Sequence, residues 1–268
     1  MAEIHPSANV DKKAQLDDGV RVGPNCVIEA DVRIGSGTVL GPNVFVDNGS
    51  TIGKNNQIFA NCVIGGFPQI LGWSQDHPIG SLVIGDGNAI RENVTLHRSM
   101  YSGRETRIGN DNLIMVGAHV GHDCILEDMT VLTNMVQLGG HCKIETGAWL
   151  SGLAALHQFV TMGRWSYAAG MTVVTHDVPP FVMVSGSYPT RVRGVNVRGM
   201  RRAGLSEEDQ QVISTAFKKL YRTDGCLLEN ANKLAPQDNL DPNVQDMIQA
   251  IQNSSQHRYG RYLETFRH

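Results

Sequence analysis

An aliphatic side chain returns at every sixth residue of this chain, from Ile4, Val10 and Leu16 through to Ile64, without a miss. After an interruption the rhythm resumes in a new phase at Ile84, Ile90 and Leu96, skips once at Ser102, and runs from Ile108 to Val174. A six-residue period fits neither an amphipathic helix, which repeats near 3.6, nor a plain strand, which repeats at about 2. The unit is therefore a short strand plus a turn, and a series of such units folds as a parallel β-helix. Four residues after the aliphatic position the slot is usually small or β-branched, as at Ala8, Val20, Cys26, Thr38 and Cys62. A narrow interior stacked coil upon coil requires this. Gly or Asp often follows the aliphatic residue, as at Gly23, Gly35, Asp47 and Gly53, where the chain must turn.

The repeat claims residues 1–190, with excursions expected at 66–82, where the phase slips, and at 98–106, which is short and polar. Aromatic residues make up only 6% of the chain, which suits a coil too narrow for large rings. The net charge of −3 argues against a dedicated nucleic-acid binder, which carries a basic face. Cys26, Cys62, Cys124 and Cys142 all fall in the fourth-after-aliphatic slot and read as small core residues. No apolar leader follows a basic start and no run of about 18 apolar residues occurs. The expectation is a reduced, cytoplasmic protein without a membrane span.

After Val174 the pattern stops at His176-Asp177-Val178-Pro179-Pro180, where adjacent prolines end regular coiling. Ser206-Glu207-Glu208-Asp209 predicts a helix start, with a capping hydroxyl and acids in the first turn. Val212, Ile213, Ala216, Phe217 and Leu220 follow at helical spacing. Asp241-Pro242 predicts a second helix carrying Val244, Met247, Ile248 and Ile251. Residues 191–268 are thus expected to form a small α-helical domain.

Chemistry concentrates in Gly117-Ala118-His119-Val120-Gly121-His122-Asp123-Cys124, in a repeat that otherwise admits mostly small, apolar and turn residues. If three units make one coil, residues 18 apart stack in adjacent coils about 4.8 Å apart. Gly121-His122-Asp123 then lies beside Gly139-Gly140-His141, and both beside His157-Gln158-Phe159. A neutral imidazole beside a carboxylate is a general base near neutral pH, and Gly140 can offer its backbone N–H to a developing oxyanion. That pair suits acyl transfer to a hydroxyl. Three histidines can equally bind zinc with an open fourth position and activate water, as in a carbonic-anhydrase-like hydratase. A non-catalytic binding scaffold is the third reading.

Several motifs carry a more specific resemblance. The hexapeptide coils, the stretch Asn112 to Cys124, Leu138-Gly139-Gly140-His141, Ala155-Leu156-His157-Gln158-Phe159, Asp177-Val178-Pro179-Pro180-Phe181, and Gly194-Val195-Asn196 running into Arg201-Arg202-Ala203-Gly204-Leu205-Ser206 together resemble the UDP-N-acetylglucosamine O-acyltransferases, the first enzymes of lipid A biosynthesis. The resemblance implies a left-handed parallel β-helix and a homotrimer with active sites between subunits. It also implies transfer of an (R)-3-hydroxyacyl chain from acyl carrier protein to the sugar 3-hydroxyl. No metal or cofactor is implied beyond the donor's own acyl-phosphopantetheine. By the motif match, His122 is the general base, Asp123 its orienting partner and Gly140 the oxyanion donor. His119, His141, His157 and Gln158 position substrate, Asn196 and Arg202 contact the nucleotide, and Gly170 and Tyr188 fall where the acyl groove and chain length are set.

The chain also departs from that pattern. The family's first loop carries a Gln-Asp-x-Lys-aromatic run that grips the sugar nucleotide, whereas residues 66–93 here contain no lysine. Gln69 and Trp73, or Gln75-Asp76-His77, stand in its place. Arg198 replaces an acid near the uridine, and Ala203 the second of two adjacent basic residues. These changes leave the acceptor open between a 3-hydroxyl and a 3-amine. Acyl carrier protein is acidic, so Arg191, Arg193, Arg201, Arg258 and Arg261 are candidates to receive it.

Overall fold

The computed structural model describes residues 1–72, 74 and 77–267. Strands of mostly two residues stack into three sheets of 11, 9 and 8 strands, parallel except for the last pair of the largest, each coil contributing one strand to each sheet. The register is the 18-residue one wherever the coil is uninterrupted: Arg21 pairs with Val39, and Val39 with Gln57. Gln57 then pairs with Ala89 and Ala89 with Leu113, spacings of 32 and 24, so the two excursions insert 14 and 6 residues.

The aliphatic positions form the core, with Ile28, Ile58, Ile90, Leu126 and Leu150 at most 2% exposed. One interior column is polar and hydrogen-bonded from coil to coil. The Asn88 N–H donates to Asn56 Oδ1 at 2.9 Å, that of Asn112 to Asn88 Oδ1 at 2.9 Å, and that of Thr130 to Asn112 Oδ1 at 2.7 Å. Each of these buried side-chain oxygens thus accepts from the next coil, as burial of polar groups demands, while Asn112 Nδ2 has no partner among the described residues. The four coil cysteines are buried free thiols.

The turns need left-handed backbone, and the N-terminal coils supply it with residues suited to it: Asn25, Asp31, Asn43, Asn55 and Asn61 all have φ near +60°. The later coils place Met129, Met135, Leu153, Phe159 and Met171 in the same conformation, which is costly for such side chains.

The coil is closed by a hairpin, Val182–Ser185 against Arg191–Val195, paired antiparallel. The second strand lies in the segment expected to be helical. Four helices follow: α1 (Val197–Arg202), α2 (Glu207–Tyr221), α3 (Leu227–Leu234) and α4 (Pro242–Ser254). Ser206 and Asp209 close a capping box on α2, and Asp241 caps α4 with Pro242 in its first turn. Ile213, Ala216, Phe217 and Leu220 bury one face of α2. Val212, expected on that face, is 39% exposed, because it lies at the margin of the stripe.

The last residues then return to the coil. The Asp177 N–H donates to Gly260 O at 2.7 Å, and Asp177 Oδ2 accepts the Tyr262 N–H at 2.8 Å. Arg261 donates to Thr175 O at 3.0 Å and pairs with Glu264. Arg261 is buried, which removes it from the arginines available to an acidic partner. The 3₁₀ turn Tyr262–Phe266 lies against the histidine-bearing coils.

Candidate active site

Asp123, His141 and Phe159 occupy one turn corner in three successive coils, each with φ between 60° and 67°. The His141 and Phe159 rings stack at 4.4 Å and 3°. One residue earlier lies the column His122, Gly140, Gln158, tied across coils by the His141 N–H to His122 O at 2.9 Å and the Phe159 N–H to Gly140 O at 3.1 Å. The repeat thus turns a linear spacing into a surface on which neighbouring coils share one chemistry.

His122 Nδ1 lies 2.8 Å from Asp123 Oδ2. Asp123 is held by two further donors, Ser99 Oγ at 2.5 Å on Oδ1 and the Met100 N–H at 3.1 Å on Oδ2. Burial on its own raises the Asp123 carboxyl, but the hydrogen bonds from His122, Ser99 and Met100 and the nearby His141 outweigh it and hold it below the usual carboxylate value. An ionised carboxylate only accepts, so His122 carries its proton on Nδ1 and leaves Nε2 as a base. The imidazole lies directly across Gly140: a Cβ there would sit 2.5 Å from His122 Cε1 and 2.6 Å from Nε2. Only glycine lets the ring and this backbone approach so closely. The Gly140 N–H has no backbone partner among the described residues, so it remains free to donate.

The surrounding imidazoles are kept neutral. Burial pushes His119 down to about 4, helped by His97 and His122. His97 and His141 are lowered as well, burial being the main cause in each. His119 Nδ1 meets Thr95 Oγ1 at 2.9 Å, and its ring stands edge-on to His97 at 4.9 Å. His97 Nδ1 donates to Phe67 O at 2.5 Å, and its buried Nε2 has no protein partner. His122, Asp123 and His141 offer ligand atoms within 4.8 Å of one another. The Asp123 oxygens, however, are already occupied by His122, Ser99 and Met100, a donor set suited to a proton relay.

A cleft of about 300 Å³ opens onto this surface, lined by His122, His141, Gln158 and Phe159 from the coil and by Gln69, Ile70 and Leu71 from the first excursion. Gln69 therefore reaches the site, while Trp73, Gln75 and Asp76 lie outside the described residues. His157 is exposed, its Nδ1 3.0 Å from Gln158 O. Within one chain Asn196, Arg202, Gly170 and Tyr188 do not line this cleft. Asn196 caps α1 and donates to Trp165 O at 2.8 Å. Arg202 stacks over Trp149 at 4.5 Å. Gly170 is exposed at a turn corner, and Tyr188 is 84% exposed in the closing hairpin.

His97, Ser99, Phe159 and Arg267 belong to the site, and the 18-residue arithmetic passes over three of them, His97, Ser99 and Arg267. The coil that carries His97 and Ser99 is six residues longer, so the offset there is 24: Thr95 pairs with His119 and Leu96 with Val120. Counting 24 back from Asp123 gives Ser99, its hydrogen-bond donor.

A repeated coil with a histidine–carboxylate pair laid across bare glycine backbone defines a hexapeptide-repeat acyltransferase, and residues 13–48 match the pattern described as bacterial transferase hexapeptide. Residues 177–260 match that described as UDP-N-acetylglucosamine O-acyltransferase, domain 2. The acyl-[acyl-carrier-protein]–UDP-N-acetylglucosamine O-acyltransferase of Pseudomonas syringae is 44% identical over 256 residues, covering 95% of this chain and 98% of its own. That of Gloeothece citriformis is 40% identical over 200 residues, covering 75% and 71%. The solved UDP-N-acetylglucosamine O-acyltransferase of Moraxella catarrhalis superposes with a TM-score of 0.87 at 35% identity, covering 93% of this chain and 96% of that one. The chain belongs to the UDP-N-acetylglucosamine O-acyltransferase family, and its β-helix has the left-handed coil the resemblance implied. No helix among the described residues is long and apolar enough to cross a membrane.

Proposed function

We propose that this enzyme moves an (R)-3-hydroxyacyl chain from acyl carrier protein to the 3-hydroxyl of UDP-N-acetylglucosamine, the first step of lipid A biosynthesis. It acts as a cytoplasmic homotrimer without metal or cofactor. The observation that carries this reading is the His122–Asp123 pair, with Nδ1 at 2.8 Å from the carboxylate, set against the free Gly140 N–H.

The acceptor hydroxyl gives its proton to His122 Nε2 as its oxygen attacks the thioester carbonyl carbon. Asp123 fixes the tautomer and stabilises the imidazolium that forms. The carbonyl oxygen becomes an oxyanion that receives the Gly140 N–H. Collapse of the tetrahedral intermediate expels the phosphopantetheine thiolate, which takes the proton back from His122. Gln69, His119, His141, His157 and Gln158 position the two substrates around that centre. Asn196 and Arg202 belong to the nucleotide site and Gly170 and Tyr188 to the acyl groove. All four lie away from the cleft of their own chain, which is the arrangement expected when a site is completed by a second subunit.

Residues 66–93 lack a lysine, which favours one second reading, N-acylation of a 3-amino sugar nucleotide by the same base. The test is mass spectrometry of products from a ladder of 3-hydroxyacyl carrier proteins with the 3-hydroxy and 3-amino acceptors in parallel. An O-acylated product made by the unmutated protein and lost in His122→Ala supports the proposal. Product from the amine alone replaces it with the second reading, and none from either acceptor overturns both.

A further inference from the structure

The cleft beside His122 must receive substrates that carry phosphate, yet Gln69, Ile70 and Leu71, which wall one side of it, belong to a stretch, residues 66–82, whose sequence contains neither lysine nor arginine. The opposite wall holds a cation from the far end of the chain. Arg267 lines the cleft together with Gln69, His122 and Gln158. It also lines an adjoining recess of about 200 Å³ that reaches Asp123, His141 and Leu263. We infer that the segment Gly260 to Arg267 is a strap that completes the catalytic cleft, and that Arg267 binds a phosphate group of a substrate there; this rests on the acyl-transfer reading above.

Three observations support a built position. First, the strap is tied down at its root: Asp177 accepts from Tyr262 and donates to Gly260 O, and the buried Arg261 holds Thr175 O at 3.0 Å. Second, its tip is seated against the site: Leu263 and Phe266 line the recess beside His141, and the Arg267 guanidinium lies 5.8 Å from the centre of the Phe159 ring that stacks on His141. Third, the charge is available. Glu264 is engaged by Arg261 at 2.5 Å, while its approach to Arg267 is a distant 3.7 Å on an exposed side chain. A guanidinium held this way presents a planar fork suited to a phosphate, and no other segment among the lining residues of the cleft offers a lysine or arginine.

The phosphate comes either from the nucleotide diphosphate or from the phosphopantetheine arm, and kinetics separate them. Arg267→Ala is expected to raise KM about tenfold for the substrate whose phosphate is bound, with kcat little changed, the loss expected of one charge-assisted contact. Arg267→Lys should recover part of it. A rise confined to the UDP-sugar assigns the diphosphate, and one confined to the acyl carrier protein assigns the arm. Calorimetric titration of UDP and of 4′-phosphopantetheine into the unmutated and Arg267→Ala proteins reads the cation without turnover. Equal affinities for both probes, or unchanged KM for both substrates, overturn the assignment. Absence of turnover in the unmutated protein would overturn the acyl-transfer reading instead, and the titration would still decide whether Arg267 binds phosphate.

Discussion

A methyl group added at residue 140 meets His122 Cε1 at 2.5 Å and Nε2 at 2.6 Å, closer than carbon and nitrogen can approach without bonding. Gly140 does not have a left-handed backbone, so alanine there imposes no strain of its own. The imidazole must move instead. Gly140→Ala is therefore expected to lower kcat by about 10²-fold or more through the displaced base, while the thermal midpoint stays near that of the unmutated protein. Loss of fold with loss of activity would show that the glycine serves packing instead. His122→Ala should cost about 10²–10⁴-fold in kcat, with unchanged circular dichroism. Sequence spacing sufficed to bring His122, Asp123, Gly140, His141 and Gln158 together because they lie in uninterrupted 18-residue coils. His97 and Ser99 escaped it because their coil is longer, and Arg267 because no repeat relates the C-terminus to anything.

Elements obey the same division between periodic and local information. The coils were legible since burial of the aliphatic ladder leaves one register, and α2 and α4 since Ser206 and Asp241 announce them. The six-residue α1 and the eight-residue α3 are too short for a periodic signal, and the strand Arg191–Val195 exists by pairing with Val182–Ser185. Polar burial inside the coil is testable through Asn88, which accepts the Asn112 N–H and donates to Gly109 O at 3.0 Å. Asn88→Ala strands two buried groups at about 1–3 kcal/mol each, a loss readable as a lower denaturant midpoint. An unchanged midpoint would mean that the ladder is incidental.

The strap root gives a pH signature. Burial raises the Asp177 carboxyl from 3.8 to about 6, against the opposing Tyr262 and Thr161 N–H groups and Arg261. The folded chain thus holds this proton more tightly than the unfolded one. The stability it supplies is complete below pH 4 and is lost as pH rises through about 6. Relative to the unmutated protein, Asp177→Asn should remove that fall in thermal midpoint between pH 4 and 6. Parallel curves for the two proteins would exclude Asp177 as its source.

Across the whole molecule the turn corners change character from one end to the other. Asn25, Asn43 and Asn61 sit 18 apart with φ of 56° to 62°, and two of their amides bond along the column, Asn25 to Asn43 and Asn43 to Asn61. Met135, Leu153 and Met171 also sit 18 apart with φ of 58° to 62°, yet they are 49%, 56% and 68% exposed. Each forgoes a residue such as Asn that enters this conformation more readily, at roughly 1 kcal/mol, and each also leaves apolar surface in water. Both costs are recovered if the stripe is covered by another copy of the chain, and a straight coil with one such edge closes naturally into the trimer proposed above. Replacing all three with asparagine should leave the coil itself intact and at least as stable locally. Sedimentation equilibrium should then report a single chain in place of three. Because Asn196 and Arg202 are assigned to a site completed by a second subunit, turnover should disappear with the assembly. A variant that remains trimeric and active would place the interface on another face of the coil.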